Sequence, residues 1–145
     1  MSAVISPDVR AFAEGQRLAR LATVDEGGRP HAVPICFALE DDTLYTPIDE
    51  KPKHGDPAAL RRLRNIAANP EVQVLLDAYD DADWSRLRYV QLRGHAVVLA
   101  PGDASHIRAV ALLRARYAQY RDMDLASRPV IAVHVRRVVQ WSARA

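Results

Sequence analysis

The chain has 145 residues, 49% hydrophobic and 26% charged, a balance that fits one globular domain over 1–145 and excludes a disordered tail or a fibrous repeat. Twenty basic against 18 acidic residues leave a net charge of +2, too even for the basic footprint of a nucleic-acid binder. No apolar run reaches the roughly 18–20 residues of a membrane span, no signal-peptide pattern opens the chain, and a lone Cys36 permits neither an intrachain disulfide nor a cysteine-based zinc cage, so the expected compartment is the cytoplasm.

Ser6-Pro7-Asp8 predicts a helix start, with a hydroxyl cap, proline at the first helical position and an early acid; the helix runs to about Gly15. Residues 17–24 read as a strand on which Leu18, Ala22 and Val24 share one face. Asp25-Glu26-Gly27-Gly28 is a hairpin turn, because glycine supplies positive φ without a Cβ clash. A second strand spans 30–39. Pro34 inside it cannot donate to a ladder, so this strand is an edge, bulged or kinked. Glu40-Asp41-Asp42 turns the chain into a third strand over 43–48, and three consecutive strands with tight turns predict an antiparallel meander.

The loop over 49–55 carries Lys51-Pro52-Lys53. Asp56-Pro57 opens a second helix through about Ala68, basic at Arg61, Arg62 and Arg64 and apolar at Leu60, Leu63, Ile66 and Ala67, and Asn69-Pro70 ends it. Residues 72–79 and 87–99 are strands, the latter long enough that Gly94 marks a bulge or a close backbone approach. A third helix covers about 104–120, with apolar Ile107, Val110, Ala111 and Leu113, and 130–141 is the last strand. About six strands and three helices, not regularly alternating, predict a mainly β, antiparallel, closed or nearly closed barrel with peripheral helices.

Lys51 and Lys53 are the only lysines. They precede a helix start and the arginines at 61, 62 and 64, a convergence that suits a phosphate or polycarboxylate; the alternative is a solvated loop and a solvated helix face. Neither a phosphate-binding glycine loop of the nucleotide-hydrolase type nor a dinucleotide fingerprint is present. The five histidines form no helical pair, and the Asp77–Asp83 run lacks a calcium-loop frame, so no metal is expected. Cys36 lies in an apolar stretch and no Gly-x-Ser-x-Gly elbow occurs, which disfavours thiol or hydrolytic catalysis; no side chain stands out as a catalytic acid. Trp84 beside the acidic run either covers a ligand or anchors the core.

In order along the chain, Leu21-Ala22-Thr23, Gly28-Arg29-Pro30 and Pro34 resemble the first hairpin of the pyridoxamine 5′-phosphate oxidase-like proteins. Leu44-Tyr45-Thr46, Lys51-Pro52-Lys53, Arg64-Asn65-Ile66 with Asn69-Pro70, Asp83-Trp84-Ser85-Arg86-Leu87 and Gly94-His95-Ala96 are similar to the subgroup that uses the deazaflavin coenzyme F420. The resemblance covers roughly residues 10–141. It implies a split β-barrel that dimerises, cofactor bound in grooves at the subunit interface, and hydride transfer to a small organic substrate, with FMN as the alternative cofactor and a non-catalytic F420- or flavin-binding protein as the alternative function. By position it implies that Lys51 and Lys53 meet the cofactor's phosphate or acidic tail, helped by Arg61 or Arg64. The backbone of Thr46, Pro47, Ile48 and Asp49 then lines the ring edge, Pro34, Ile35 and Cys36 lie beneath the ring, and Trp84 and Trp141 complete the pocket from the partner chain. His54-Gly55-Asp56-Pro57 departs from the subgroup, which leads into its helix through a hydroxyl or basic residue; Asp56 repels an anion unless it turns inward as a cap.

Overall fold

A computed structural model of the chain describes residues 3–48 and 60–144. Asp49, Lys51, Lys53 and the cap-plus-proline pair Asp56-Pro57 lie outside the described residues. The first helix, α1 (Pro7–Glu14), begins as its residues dictate: the Ser6 hydroxyl accepts from the Val9 amide at 3.2 Å and Pro7 takes the first helical position. β1 (Ala19–Val24) and β2 (Pro30–Ile35) form a hairpin in register from Ala19↔Ile35 to Val24↔Pro30. Gly28 sits at φ +83° in the turn between them.

The strand expected over 30–39 divides in two, and the three-strand meander does not form. Cys36 and Phe37 separate β2 from β3 (Ala38–Glu40), which pairs with β4 (Thr43–Pro47). With β5 (Glu71–Ala78), β6 (Arg88–Leu99) and β7 (Val130–Ser142), the strands form one antiparallel sheet in the order β2-β1-β5-β6-β7-β4-β3. β2 and β3 are therefore its two edges, the place a strand carrying Pro34 tolerates. Only two residues join those edges, and three Cα steps reach at most about 11 Å. The sheet must curl until its edges nearly meet, giving a split barrel of seven strands, one more than predicted, with a seam between β2 and β3.

Leu21, Phe37, Leu44, Ile48, Leu76, Leu92 and Ile131 are among the fully buried side chains that fill the barrel. On β1 the inward positions are Ala19, Leu21 and Thr23; Leu18, Ala22 and Val24 do share a face, but it is the outer one, and Leu18 is 48% exposed. At Gly94 the β6–β7 register slips: Arg93 opposes Arg137 and Gly94 opposes Val135, leaving Arg136 as the extra residue. A Cβ at position 94 lies 2.3 Å from the His134 carbonyl oxygen, so the close approach read from the sequence is real.

α2 (Arg61–Ala68) inserts Leu63 and Ile66 into the core, while Ala67 is exposed. α3 (Ala104–Arg116) ends earlier than predicted and continues as a 3-10 turn over Ala118–Asp122. It packs on the outer side of β3, β4 and β7 through Ala109, Val110 and Leu113, in a second apolar cluster with Ala38, Tyr45 and Val130. Ile107 and Ala111 point to solvent instead. His106 takes an inward position because its ring nitrogen Nε2 reaches the Arg128 carbonyl at 2.6 Å. No helix among the described residues is long and apolar enough to cross a membrane.

Candidate functional site

Two of the segments singled out from sequence flank the seam or the strand beside it. β3 pairs Ala38 with Tyr45, and continuing that register one step sets Phe37 beside Thr46. Pro34-Ile35-Cys36 leads from the end of β2 into the crossing, and Thr46-Pro47-Ile48 closes β4, the strand next to the β3 edge. Their side chains divide by face. Ile35 and Ile48 are 5% and 1% exposed and belong to the core, and Thr46 is buried as well. Pro34 is exposed and Cys36 half-buried, the latter packed against the cluster that includes Ala38, Val110 and Leu113. What these residues present at the seam is thus backbone, a proline ring and a thiol.

A second feature lies between α2 and the β1–β2 turn, in a groove of about 430 Å³ lined by Asp25, Glu26, Gly27, Arg29, Arg61, Arg64, Asn65 and Ala68. α2 reaches this position because Asn65, 4% exposed, donates from Nδ2 to the Thr23 hydroxyl on β1 at 3.0 Å, pairing two buried polar groups. Its first turn carries no acid, and the N-cap residue Leu60 offers no side-chain hydrogen bond. Among the described residues no side-chain cap or first-turn acid offsets the partial positive charge of the helix start, which adds to that of Arg61 and Arg64. Neither guanidinium has a hydrogen-bond or ion-pair partner among the described residues. Across the groove, Asp25 is already committed: its carboxylate accepts from the amides of Gly27 and Arg29 and from Arg29 Nε, at 2.8, 2.9 and 3.0 Å. The Arg29 amide, with its guanidinium, holds the Asp25 carboxyl below the usual carboxylate range. The groove thus offers two cations without partners among the described residues, a helix start that Leu60 does not cap through its side chain, and a neutralised Asp25–Arg29 pair, with Glu26 the opposing charge.

Trp84 is not part of this assembly within one chain. It lies on a 3-10 turn, Trp84–Arg86, capped by the Asp83 carboxylate, and is 65% exposed. That turn precedes the Arg88 end of β6, whereas Pro47 aligns through Val130 with Leu99 at the other end. Trp141, 47% exposed, stacks on Tyr89 with ring centroids 6.1 Å apart, also at the Arg88 end. Among the described residues, no three His, Cys, Asp or Glu groups are placed to hold a metal ion. Sequence reasoning missed Asn65 and Arg29 as the parts that position the groove. Asn65 carried a signal, standing four residues after Arg61 amid apolar Leu63 and Ile66, where a polar side chain needs a partner.

The family profile described as pyridoxamine 5′-phosphate oxidase matches residues 5–142. The chain is similar, at 28% identity over 130 residues, to the 5a,11a-dehydrotetracycline/5a,11a-dehydrooxytetracycline reductase of Streptomyces rimosus; the aligned part is 90% of this chain and 78% of the reductase. Among solved structures it is similar to the conserved hypothetical protein Rv2991 from Mycobacterium tuberculosis, with a TM-score of 0.76, 23% identity and coverage of 98% of this chain and 88% of that one. It is also similar to the heme storage protein HutZ from Vibrio cholerae (TM-score 0.70, 15% identity, 95% and 94% covered). A FAD-binding protein from Mesorhizobium loti matches with a TM-score of 0.65 at 20% identity, covering 92% of this chain and 89% of that one.

Proposed function

The chain belongs to the pyridoxamine 5′-phosphate oxidase family, and from that premise we propose that it is an oxidoreductase of the cytoplasm built on one split-barrel domain, using coenzyme F420, with FMN as the alternative cofactor. The observation that carries the reading is the pair Arg61 and Arg64, neither with a partner among the described residues, at the start of α2, where Leu60 makes no side-chain cap hydrogen bond. A cofactor ending in a phosphate or an acidic tail matches that charge, and a site built for a neutral ligand gains nothing from it. The ordered motifs Lys51-Pro52-Lys53, Arg64-Asn65-Ile66 and Asp83–Leu87 favour the deazaflavin over FMN through their resemblance to that subgroup. The similarity to a reductase that acts on dehydrotetracyclines supports reduction of an electron-poor double bond in an organic substrate. The similarity to a FAD-binding structure supports a flavin-type cofactor.

In this reading Lys51, Lys53, Arg61 and Arg64 hold the anionic end of the cofactor. The backbone of Thr46, Pro47, Ile48 and Asp49 lines the ring edge, and Pro34, Ile35 and Cys36 form the floor beneath it. Residues of the chain would bind and orient the deazaflavin and keep water from its ring, and the chemistry supplied there would be hydride transfer. A second copy of the chain completes the groove and brings Trp84 and Trp141 to it, since neither lies near the seam of its own barrel. The test is turnover: reduced F420 with a panel of nitro, enone and quinone compounds, followed at the deazaflavin absorbance, with reduced FMN in parallel. Consumption of reduced F420 that depends on protein and acceptor supports the reading. Cofactor binding without turnover across the panel supports a non-catalytic carrier instead.

A further inference from the structure

The split in the barrel leaves one backbone group without a strand partner, and a side chain takes its place. β2 ends at Ile35 and β3 begins at Ala38, so the amide of the fully buried Phe37 belongs to neither ladder. It donates instead to the Tyr117 hydroxyl at 3.1 Å, a contact across 80 residues. The same hydroxyl donates to the Arg17 carbonyl at 2.9 Å and accepts from Arg116 Nε at 3.2 Å. A tyrosine hydroxyl has one hydrogen to give and two lone pairs, so every capacity of this group is used. Arg116 is itself fixed. Its guanidinium lies 4.8 Å from the Phe37 ring centroid and donates to the carbonyls of Glu14, at 3.1 Å, and Gln16, while Arg17 returns a bond to the Arg116 carbonyl at 2.8 Å. The knot joins the end of α1, the entry to β1, the end of α3 and the two-residue crossing at the seam.

We propose that Tyr117, held by Arg116, is a positioning residue for the cofactor groove: its hydroxyl pins the Phe37 backbone where the barrel is split and thereby sets the height of Pro34, Ile35 and Cys36. The inference rests on the reading that these three residues form the floor of a flavin-type site. A hydroxyl that served folding alone has no reason to affect the spectrum of a bound cofactor, whereas a shifted floor changes the polarity and contacts of the ring above it.

The experiment compares wild type, Tyr117→Phe and Leu92→Val as full-length proteins. Leu92 is fully buried on β6, the central strand of the sheet, paired with Val74 and Val138 and with no residue assigned to the groove, so its variant reports the effect of lowered stability alone. In Tyr117→Phe, amide exchange at Phe37 is expected to rise about tenfold relative to global exchange. Affinity for F420, or for FMN if that is the cofactor bound, falls about threefold to tenfold, and the absorbance and fluorescence of the bound cofactor shift. Leu92→Val shows the wild-type spectrum. If Tyr117→Phe and Leu92→Val give the same bound spectrum and affinity as wild type, the positioning role is overturned. If wild type binds neither cofactor, the functional reading fails first, and faster exchange at Phe37 then marks Tyr117 as a structural staple only. Should Tyr117→Phe not fold, Arg116→Lys carries the test. It removes one bond to the hydroxyl and the carbonyl contacts, and a smaller spectral shift in the same direction is expected; no shift overturns the proposal.

Discussion

Gly94→Ala tests the β6–β7 bulge on which the rear of the barrel depends. A Cβ at this position meets the His134 carbonyl oxygen at 2.3 Å and the His134 carbonyl carbon at 2.9 Å. Both are backbone atoms of the paired strand, so no rotamer change relieves the contact. The strands must part by about 1 Å to restore an ordinary approach, disturbing the register between Arg93↔Arg137 and Gly94↔Val135. Overpacking of this kind costs about 3 kcal/mol, which for a chain of this length lowers the melting temperature by about 10 °C. Gly28→Ala is the comparison. Its φ of +83° disfavours alanine, but nothing lies within 4 Å of the added Cβ, so the cost is about 1 kcal/mol. Urea unfolding of both variants at unchanged m-value measures the difference. A Gly94→Ala loss equal to or below that of Gly28→Ala refutes the close approach of the two strands.

Three further outcomes follow from the same geometry. Asn65→Ala leaves the Thr23 hydroxyl buried without its partner, and a loss of about 2 kcal/mol in urea unfolding is expected; Thr23→Val in the same background should add little, because the bond is already gone. Replacing Arg61 and Arg64 together by alanine is expected to weaken cofactor binding about tenfold in dilute buffer, with the gap to wild type closing as salt is raised; an equal affinity at low salt removes them from the site. The Asp42 carboxylate accepts from the amides of Val4 and Ile5 at 2.9 and 3.0 Å, which hold its pKa below the ordinary carboxylate value. A depressed folded-state pKa contributes stability that is complete above the unfolded value near 3.8 and lost as pH falls through the folded one. Wild type is therefore expected to exceed Asp42→Asn in stability at pH 6, with the advantage gone at the acid end of a titration; an advantage independent of pH contradicts this assignment.

Much of the barrel was legible because local signals and tertiary demands agreed. Ser6-Pro7, the Gly28 turn, Pro34 on an edge strand and Gly94 at a close approach each carry a backbone constraint that one residue type satisfies. The break at Cys36-Phe37 was not legible, since both residues suit a strand and only closure of the sheet forces them out of it. The core face of β1 could not be told from the outer one by hydrophobicity alone: Thr23 faces inward because Asn65, 42 residues away, supplies its partner, while Leu18 faces out. The same limit applied to α3, where His106 displaces Ile107 from the inward position by bonding the Arg128 carbonyl. For the site, Arg61 and Arg64 were readable as a basic helix face. That they share a groove with the β1–β2 turn depends on how α2 docks, which spacing along the chain does not encode.

The central claim is that this split barrel holds a flavin-type cofactor by its anionic end, with the deazaflavin preferred. Parallel titration of the purified protein with oxidised F420 and with FMN, followed by fluorescence quenching and equilibrium dialysis at low and high salt, tests it most directly. Saturable quenching of F420 that weakens with salt, with poorer binding of FMN, is the predicted result. FMN bound more tightly transfers the function to the flavin, and a protein that binds neither contradicts the account.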